Sequence, residues 1–511
     1  MFGKVYSMGL CGLESYKVEV ESDISNGLAR FDIVGLPDTA VKESENRIRA
    51  SLRNRNLHMP STRLVVNLAP AGTPKEGAYY DLPILLSILQ ASGQCDESIS
   101  DSVFVGELSL QGDIRPVSGA LPMTIEAKRL GFKNVFLPFD NASEGAVVSG
   151  INVFGVKNIT TLIDHLKNLS PIPVEEPFAY TETEYIEYPV NMSEVVGQRE
   201  AKRAMEVAAA GGHNIMLIGA PGVGKSMLAK RLPTILPQMT FDEAIETTKI
   251  HSVAGLLLKE GKLVVHRPVR MPHHSVSPVG MSGGGAIPKP GEISLAHNGI
   301  LFLDELPEFA RSTLEILRQP LEDNTITISR ASGKFTYPCS FMLVASMNPC
   351  PCGYYGHPAI KCTCPSGAIS RYTARISGPL LDRIDIHIEV NPVRYKELSG
   401  EGSAEESSFE IYKRVNAARR LQQERYADMP FSCNAKMSTA MLKKVCILSD
   451  SAKKVLEVAF DRMGLSARAY DRILKVSRTI ADLAQSENIE VEHVAEALQY
   501  RSLDRKLHEN K

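Results

Sequence analysis

A glycine-rich segment near the middle of the chain restricts the fold more than any other feature. The segment consists of Gly219, Ala220, Pro221, Gly222, Val223, Gly224, Lys225 and Ser226. An apolar run at 215–218 precedes it, and a helix-like run at 227–232 follows it. Strand, glycine loop and helix in this order are typical of a phosphate-binding loop. We therefore predict that the chain binds ATP or GTP, with a chance glycine turn as the alternative. Lys225 is then expected on the β- and γ-phosphates, and Ser226 on Mg²⁺.

Length and composition limit the class of protein further. A chain of 511 residues exceeds one hydrophobic core, so we expect about three domains. The 57 basic and 59 acidic side chains nearly balance, so binding to nucleic acid would require local basic patches. We find no apolar run of about twenty residues that would predict a membrane span. The N-terminus contains charges and glycines instead of the apolar core of a signal peptide, so we expect a cytoplasmic protein.

The pattern of the chain changes along its length. Residues 1–170 show short β-rich runs, including a predicted strand over 103–108, and are typical of a mixed α/β domain. Residues 171–190 are rich in Pro, Glu and Thr, which predicts a linker. Strands and helices alternate over 191–396 around the phosphate loop, and 397–511 is predicted to be nearly all helix.

Two further predicted strands end in polar residues that suit nucleotide hydrolysis. The apolar run 299–303 is followed by Asp304 and Glu305. Asp304 is expected in the Mg²⁺ shell, and Glu305 is expected to polarise the attacking water. The run 341–346 ends near Asn348, which can hydrogen-bond that water or the γ-phosphate. Asn348 also fits a simple Asn-Pro turn, so that alternative stays open.

This order of phosphate loop, acidic strand and polar strand end, followed by a helical segment, resembles an AAA+ ATPase. The resemblance implies an α/β core, a helical lid and a ring in which an arginine reaches the neighbouring subunit's nucleotide. Arg383 matches that arginine, and an ion pair with Asp382 or Asp385 is the alternative. Arg468 matches the lid arginine that contacts the γ-phosphate in the family. Arg472 lies one turn further and is easily confused with it.

The stretch PKPGEISLAHNGILFLDELP at 288–307 is similar to the magnesium-chelatase-like branch of AAA+ proteins. That branch carries an insertion before the acidic strand and a hairpin before the polar strand. The matching segments are 280–290 and 325–337. Such hairpins face the central channel in related ring helicases, so Arg330 and Lys334 are candidates for contacts with a DNA backbone. An ordinary solvated hairpin tip is the alternative.

Four of the nine cysteines form a tight group in the sequence. They are Cys350, Cys352, Cys362 and Cys364. Clustered thiols in a chain expected in the cytoplasm indicate a tetrahedral Zn²⁺ site. Such a site would clamp a loop beside Asn348, so we predict a structural role for it. His357 lies between the pairs as a further candidate ligand, and free thiols or a redox pair are the alternatives.

The N-terminal segment resembles the proteolytic domain of Lon protease. The resemblance rests on AGTPKEGAYYD at 71–81 and GELSLQGDIRPV at 106–117, and it covers most of residues 1–170. It implies an α+β fold in which a Ser nucleophile is activated by a Lys base. Tyr79 and Leu121 stand at those two positions. We therefore predict no peptidase activity and a role in assembly or partner binding; a nearby active Ser is the alternative.

These resemblances together identify the chain as a member of the ComM/YifB family. Membership implies a hexameric ring that hydrolyses ATP with Mg²⁺ and drives branch migration on DNA in recombination or natural transformation. The alternatives are a protein-remodelling ATPase and the ATPase subunit of a metal-chelatase-type complex, which would lack the Lon-like domain and the cysteines. Basic residues on the first helix of the last domain are further candidates for DNA contacts, with a solvated helix face as the alternative. They are Lys413, Arg414, Arg419, Arg420 and Arg425.

Overall fold

A seven-stranded mixed sheet forms the N-terminal part of the protein. The computed structural model describes residues 1–95, 99–178, 180, 185–257, 263–285, 288–330, 333–393, 405–429 and 431–501. The N-terminal strands are β1 (Phe2–Cys11), β2 (Glu14–Ser25), β3 (Arg30–Val34), β4 (Arg63–Ala69), β5 (Ser102–Phe104), β6 (Glu107–Leu108), β7 (Ile114–Arg115), β8 (Asn134–Pro138) and β9 (Asn152–Val156). The sheet order is β3-β4-β2-β1-β5-β8-β9, and β6 pairs separately with β7. This mixed sheet with its helices agrees with the predicted α+β class.

Helices cover this sheet because its strands present alternating apolar faces. The strand β4 alternates buried and partly exposed residues along its length, as expected for a strand with one covered face. The helices are α1 (Thr39–Lys42), α2 (Ser44–Asn54), α3 (Asp81–Ala91), α4 (Ala120–Arg129), α5 (Ala142–Gly145) and α6 (Ile159–Leu166). Nearly every residue of α3 is buried, so this apolar helix lies at the centre of the N-terminal core.

The strand predicted over 103–108 is wrong in its extent. The structure ends β5 at Phe104 and starts β6 at Glu107. Between them, Gly106 N donates to Tyr79 O at 2.9 Å, and a Cβ on Gly106 would lie only 2.7 Å from Ile114 Cγ2. The chain therefore turns at a glycine that permits close packing, and an apolar run alone does not reveal such a turn.

A five-stranded parallel sheet forms the central part and carries the phosphate loop. Its strands are β10 (Ile215–Ile218), β11 (Val269–Arg270), β14 (Ile300–Leu303), β17 (Met342–Met347) and β18 (Ile386–Glu389), in the order β11-β14-β17-β10-β18. Every residue of β10, β14 and β17 is buried, which is typical of parallel strands covered on both faces. The carboxyl ends of these strands therefore meet at one edge.

Helices and two short hairpins surround the central sheet. The helices are α7 (Arg199–Gly211), α8 (Lys225–Arg231), α9 (Phe241–Val253), α10 (Pro278–Ser282), α11 (Glu292–Leu295), α12 (Arg311–Ile316), α13 (Arg318–Asp323), α14 (Ser366–Thr373) and α15 (Gly378–Leu381). The hairpins pair β12 (Gly283–Gly284) with β13 (Lys289–Pro290) and β15 (Thr325–Arg330) with β16 (Gly333–Pro338). They coincide with the predicted insertion and hairpin. Residues 331 and 332 of the predicted hairpin segment lie outside the described residues.

The C-terminal part is helical, as predicted for the lid. Its helices are α16 (Ser408–Arg425), α17 (Thr439–Val445), α18 (Asp450–Met463), α19 (Ala467–Leu483) and α20 (Val491–Gln499). Ser side chains at 407, 449 and 466 accept backbone N–H bonds at the starts of α16, α18 and α19. One apolar cluster joins these helices to α7 and β10, so the lid shares a core with the central part. The domain boundaries at 170, 190 and 396 stay predictions.

Within the described part of the chain, none of the helices combines the length and apolar character that a membrane crossing requires.

The N-terminal and central parts meet at α4 and α9. Leu121 is fully buried in a cluster with Val147 of the N-terminal part and with Met239, Ala244 and Leu263 of the central part. Beside this cluster, Gly119 N donates to Ser252 O at 3.1 Å. The predicted position of a Lon-type base therefore holds an apolar residue that contributes to contact between the two parts.

A buried carboxylate completes this contact. Glu144 is 2% exposed and accepts hydrogen bonds from Leu121 N at 2.8 Å, from Asn141 Nδ2 at 3.1 Å and from the Ser252 hydroxyl. Burial raises the pKa of Glu144 above its ordinary value. Three donors from both parts thus converge on one side chain that water does not reach.

Truncating Leu121 is expected to weaken this contact. Leu→Ala substitutions in buried clusters cost about 2–5 kcal/mol, so Leu121→Ala should lower the midpoint of the first thermal unfolding transition by several degrees. Leu110→Ala, at a position that is 57% exposed, is the matched control and should leave the midpoint unchanged. Equal midpoints in the two variants, measured by differential scanning calorimetry, would contradict the role of Leu121.

Candidate nucleotide site and cysteine loop

The phosphate loop has a backbone shape that requires glycine. It leaves β10 at Ile218 and enters α8 at Lys225. Gly222 and Gly224 have φ values of +80° and +96°, in the left-handed region. A Cβ on Gly219 would lie 2.4 Å from Val390 O, so a larger residue does not fit there. The loop therefore curls tightly above the amino end of α8, with backbone N–H groups and the helix end available to an anion.

Lys225 lies across this loop and joins it to the neighbouring strand end. Its Nζ donates to Gly219 O at 2.8 Å, Ala220 O at 2.9 Å and Asn348 Oδ1 at 3.0 Å. Burial lowers the pKa of Lys225, while the nearby carboxylates of Asp304 and Glu305 oppose that shift. The structure thus brings Lys225 and Asn348 into direct contact, although they are far apart in the sequence.

Asp304 connects the phosphate loop with two strand ends. The Ser226 hydroxyl donates to Asp304 Oδ2 at 2.7 Å, and the Ser346 hydroxyl donates to Asp304 Oδ1. A carboxylate and a hydroxyl in contact form the oxygen donor set that Mg²⁺ accepts beside nucleotide phosphates. The residues present therefore fit Mg²⁺, with Ser226 and Asp304 as the side chains that would hold it.

Glu305 has an unusual backbone and an accessible side chain. Its φ is +54°, in the left-handed region, and its N–H donates to Asp304 Oδ1 at 3.1 Å. The carboxylate is 59% exposed and is close enough to Lys225 to raise the pKa of that amine, as Asp304 also does. An accessible carboxylate beside the phosphate loop is able to accept a proton from water.

The four cysteines converge on one point. All four sulfurs lie within 4.8 Å of one another, and three Sγ–Sγ distances are 3.4, 3.7 and 3.6 Å. A tetrahedral Zn²⁺ with Zn–S bonds of about 2.3 Å would require sulfur separations of about 3.8 Å. The four side chains are Cys350, Cys352, Cys362 and Cys364. Their arrangement fits a Zn²⁺ ion.

Backbone N–H groups surround these sulfurs. Tyr355 N lies 3.3 Å from Cys350 Sγ, and Cys352 N lies 3.4 Å from Cys364 Sγ. Hydrogen bonds from the backbone of Tyr354 and Thr363 lower the pKa of Cys352 to about 6. Such donors stabilise thiolates and are typical of the shell around a metal–sulfur site. His357 is outside this group: its Nδ1 accepts hydrogen bonds from Ala359 N and Ile360 N.

The cysteine loop packs against the nucleotide site. Gly353 has a φ of +86°, and a Cβ there would lie 2.4 Å from Pro221 Cδ in the phosphate loop. Directly before the loop, the backbone of Asn348 hydrogen-bonds the Tyr372 hydroxyl. Burial raises the pKa of Tyr372 to about 12. The loop that follows Asn348 is therefore in contact with the phosphate loop and with α14.

Arg383 is buried within the chain. It is 5% exposed, donates from Nη1 to Pro379 O at 2.6 Å and forms an ion pair with Glu322. The partner is thus neither Asp382 nor Asp385, which were the alternatives. Arg383 Nε has no hydrogen-bond partner in the described part of the chain.

The structure separates the two lid arginines. Arg472 forms an ion pair with the buried Asp385, which also lies 3.4 Å from His213 Nδ1. Arg468 is exposed in the first turn of α19. Because Arg472 is engaged with Asp385, Arg468 stays the candidate for the nucleotide.

The charged residues proposed for DNA divide into two groups. Arg330 and Lys334 are both exposed near the tip of the β15–β16 hairpin. On α16, by contrast, Arg414 pairs with Glu206 and Glu406, Arg425 pairs with Asp482, and Arg419 is buried against backbone carbonyls. Arg414, Arg419 and Arg425 therefore have partners within the chain, whereas Lys413 and Arg420 are exposed, as the solvated alternative expects.

The two predicted Lon-type positions carry packing side chains, with Leu121 at the contact between the two parts and Tyr79 partly buried in the N-terminal part. Tyr79 packs against two apolar clusters, and burial raises its pKa far above the ordinary tyrosine value. Lys75, in the same segment, is fully buried and donates to Thr73 O at 2.8 Å and to Pro70 O. Tyr79 is therefore engaged in packing and Lys75 in backbone hydrogen bonds, and the absence of peptidase activity stays a prediction.

Two polar residues of the site were missed from the sequence. Ser346 is the penultimate residue of β17, and its hydroxyl is buried against Asp304. His274 follows β11, and its Nδ1 lies 3.9 Å from Glu305 Oε2. Ser346 lies near the end of β17 and His274 follows β11, and both strands lie beside β14. A polar residue near the end of a predicted strand is therefore the sequence signal for both.

Comparison with known proteins covers almost the whole chain. Family profiles described as magnesium chelatase subunit ChlI, subunit ChlI of Mg-chelatase and magnesium chelatase subunit ChlI C-terminal match residues 191–398, 20–141 and 405–501. A short stretch is 42% identical over 64 residues to an archaeal Lon protease from Methanothermobacter thermautotrophicus, which covers 12% of this chain and 10% of that protein.

Two relatives match from end to end. The competence protein ComM of Haemophilus influenzae is 42% identical over 510 residues, which covers 98% of both chains. The uncharacterised protein YifB of Salmonella typhimurium is 42% identical over 504 residues, which covers 98% of this chain and 97% of that protein. With its phosphate loop, its Asp304 site and its helical lid, the chain belongs to the ComM/YifB family of magnesium-chelatase-like AAA+ ATPases with an N-terminal Lon-like domain.

Proposed function

We propose that the protein is an ATP-driven ring motor that acts on DNA and promotes branch migration in recombination or natural transformation. The contact of Lys225 with Asn348, beside the Ser226–Asp304 pair, is the observation that supports hydrolysis most directly. The end-to-end similarity to a protein named for competence supports the DNA process. Six subunits per ring is the number that the family resemblance implies.

Each residue of the site has a proposed role in hydrolysis. The loop backbone from Gly219 to Gly224 and the Lys225 amine bind the phosphates, and Asn348 orients the γ-phosphate or water. Bound Mg²⁺ would neutralise phosphate charge, held by Ser226 and Asp304. Glu305 accepts the proton of the attacking water. Arg468 from the lid is proposed to contact the γ-phosphate.

DNA binding is proposed for the β15–β16 hairpin. Arg330 and Lys334 are exposed near the tip of this hairpin, so a ring would present two cationic side chains for each of its subunits. Because the total charge of the chain is only −2, a local cationic tip is the kind of surface that a phosphate backbone requires.

A metal-insertion motor is the second candidate, because three family profiles carry the description of a magnesium chelatase subunit. A protein-remodelling ATPase is the third, and the Lon-like domain would then recruit the client. Both alternatives predict stimulation of hydrolysis by a partner protein instead of DNA.

Steady-state ATP hydrolysis with and without single-stranded and forked DNA tests the proposal. We expect clear stimulation at low salt that declines as salt rises, because phosphate contacts release counterions.

Glu305→Gln should abolish hydrolysis while ATP binding persists. Arg330→Glu with Lys334→Glu should remove stimulation and keep the basal rate. A rate indifferent to DNA at low salt would contradict the DNA-motor proposal and favour a protein partner.

Arg383 is proposed to complete the site of the neighbouring subunit, which requires its buried side chain to leave Glu322 and turn outward in the ring. Arg383→Ala should keep ATP binding while hydrolysis falls about 10³-fold or more, as loss of an arginine finger does. Glu322→Ala removes the same ion pair but keeps the guanidinium, so this control should retain hydrolysis. Rings mixed from Lys225→Ala and Arg383→Ala subunits should regain activity, because one supplies the arginine and the other the phosphate loop. Equal losses in Arg383→Ala and Glu322→Ala would contradict the proposed role.

The four-cysteine loop is proposed to hold one structural Zn²⁺ per chain. Elemental analysis of the purified protein should find about one zinc per subunit, in line with four thiolate ligands. Cys350→Ser and Cys362→Ser should lose the metal, whereas Cys11→Ser, at an exposed cysteine outside the group, should keep it. Because the loop contacts Pro221 and follows Asn348, metal loss should reduce hydrolysis. Full zinc content in Cys350→Ser would contradict this assignment.

A further inference from the structure

The turn between β1 and β2 in the Lon-like domain has an unusual composition. Cys11 and Glu14 are the last paired residues, so Gly12 and Leu13 form a two-residue turn. Gly12 has a φ of +64°, which suits such a turn, but Leu13 stands where small or polar residues are usual. Because β4 pairs with β2 over Glu19–Ser25, the turn lies beyond the part of the sheet that β4 covers.

This turn reaches the β15–β16 hairpin of the central part. A Cβ on Gly12 would lie 3.3 Å from Phe335 Cδ1, so the backbone of the turn lies against that ring. Leu13 packs against the apolar cluster that contains Ile328 and Tyr337 of the same hairpin. A leucine at a turn is therefore half-buried against another part of the chain, which accounts for its presence there.

The glycine-rich insertion holds the same hairpin from a second direction. The Tyr337 hydroxyl donates to Pro288 O at 2.7 Å, and Met281 of α10 lies in one apolar cluster with Ile328. A Cβ on Gly284 would lie 3.0 Å from Arg330 Nη2. The insertion and the turn of the Lon-like domain are thus two separate supports for one hairpin.

The strand that leads into the turn is itself attached to the central part. Gly119 leaves no room for a Cβ beside the side chain of Leu10, so α4 begins directly against the end of β1. Gly119 N also donates to Ser252 O of α9 at 3.1 Å. The turn therefore projects from a part of the Lon-like domain that is held in place, and it gives the hairpin a rigid neighbour.

We propose that the Lon-like domain supports the β15–β16 hairpin through the Gly12–Leu13 turn, with Leu13 as a positioning residue for DNA-dependent hydrolysis. Packing of Leu13 on the apolar face of the hairpin keeps the exposed Arg330 and Lys334 directed toward nucleic acid. Force on the hairpin is then carried by the Lon-like sheet and does not bend the hairpin. This inference rests on the proposed contact of the hairpin with DNA, and it assigns a mechanical task to a domain for which we predict no peptidase activity.

The first test is the DNA dependence of ATP hydrolysis in Leu13→Ala. We expect an unchanged basal rate and an unchanged KM for ATP, because the turn lies at the hairpin and contributes nothing to the nucleotide site. The DNA-stimulated rate should fall several-fold toward the basal rate. Leu13→Met keeps an apolar side chain of similar volume and should restore most of the stimulation. Leu28→Ala, at a position of the same domain that is 93% exposed, is the matched control and should behave like the unmodified protein.

Two further measurements separate a local support from a general loss of stability. Hydrogen exchange of the backbone amides of β15 and β16 should be faster in Leu13→Ala, whereas exchange in β8 and β9 of the Lon-like sheet should stay the same. The double variant Leu13→Ala with Phe335→Ala should lose no more stimulation than Phe335→Ala alone, because both changes disrupt one contact.

Failure of this inference and failure of the proposed function give different results. Unchanged hydrogen exchange in the hairpin, or unchanged stimulation by DNA, would overturn the support by Leu13. A raised basal rate, or an equal loss of basal and stimulated rates, would overturn it as well, because the turn would then restrain the motor or stabilise the whole fold. If DNA does not stimulate the unmodified protein, the DNA proposal fails, and hydrogen exchange still decides whether the turn supports the hairpin.

Discussion

The parallel register of β10, β14 and β17 is the constraint on which the rest of the site depends. Because the three strands run in one direction and are fully buried, their carboxyl ends open at one edge of the sheet. Ser226 and Ser346 then donate to the same carboxylate of Asp304, and Lys225 meets Asn348. Backbone pairing in the core thus determines which side chains meet at the surface.

Contacts around this edge connect the nucleotide site with segments that are distant in the sequence. The cysteine loop lies against Pro221, and His274 lies beside Glu305. The lid shares an apolar core with α7 and β10. The Lon-like domain joins through Leu121 and through Glu144, whose donors come from both sides of the contact. A nucleotide site with so many neighbours is suited to linking hydrolysis with movement elsewhere, which is what the motor proposal requires.

The Lon-like domain has packing residues at the two positions where we predict that a Lon-type protease would carry its nucleophile and its base. The usual base position is occupied by Leu121, which packs against Met239 and Ala244 of the central part. Tyr79 packs against apolar side chains, and burial raises its pKa well above the ordinary tyrosine value. Of these two side chains, Leu121 contributes to the contact with the central part, whereas Tyr79 packs within the N-terminal part.

Local spacing is enough to predict the strand–loop–helix unit at 215–232, the acidic strand end at Asp304 and the four-cysteine group. The fixed order of these motifs also identifies the family. The sequence does not reveal that Arg383 pairs with Glu322, that Arg414 and Arg425 have partners within the chain, or that His274 faces Glu305. Those pairings join segments far apart in the sequence, and strand register and side-chain burial set them, which no local spacing encodes.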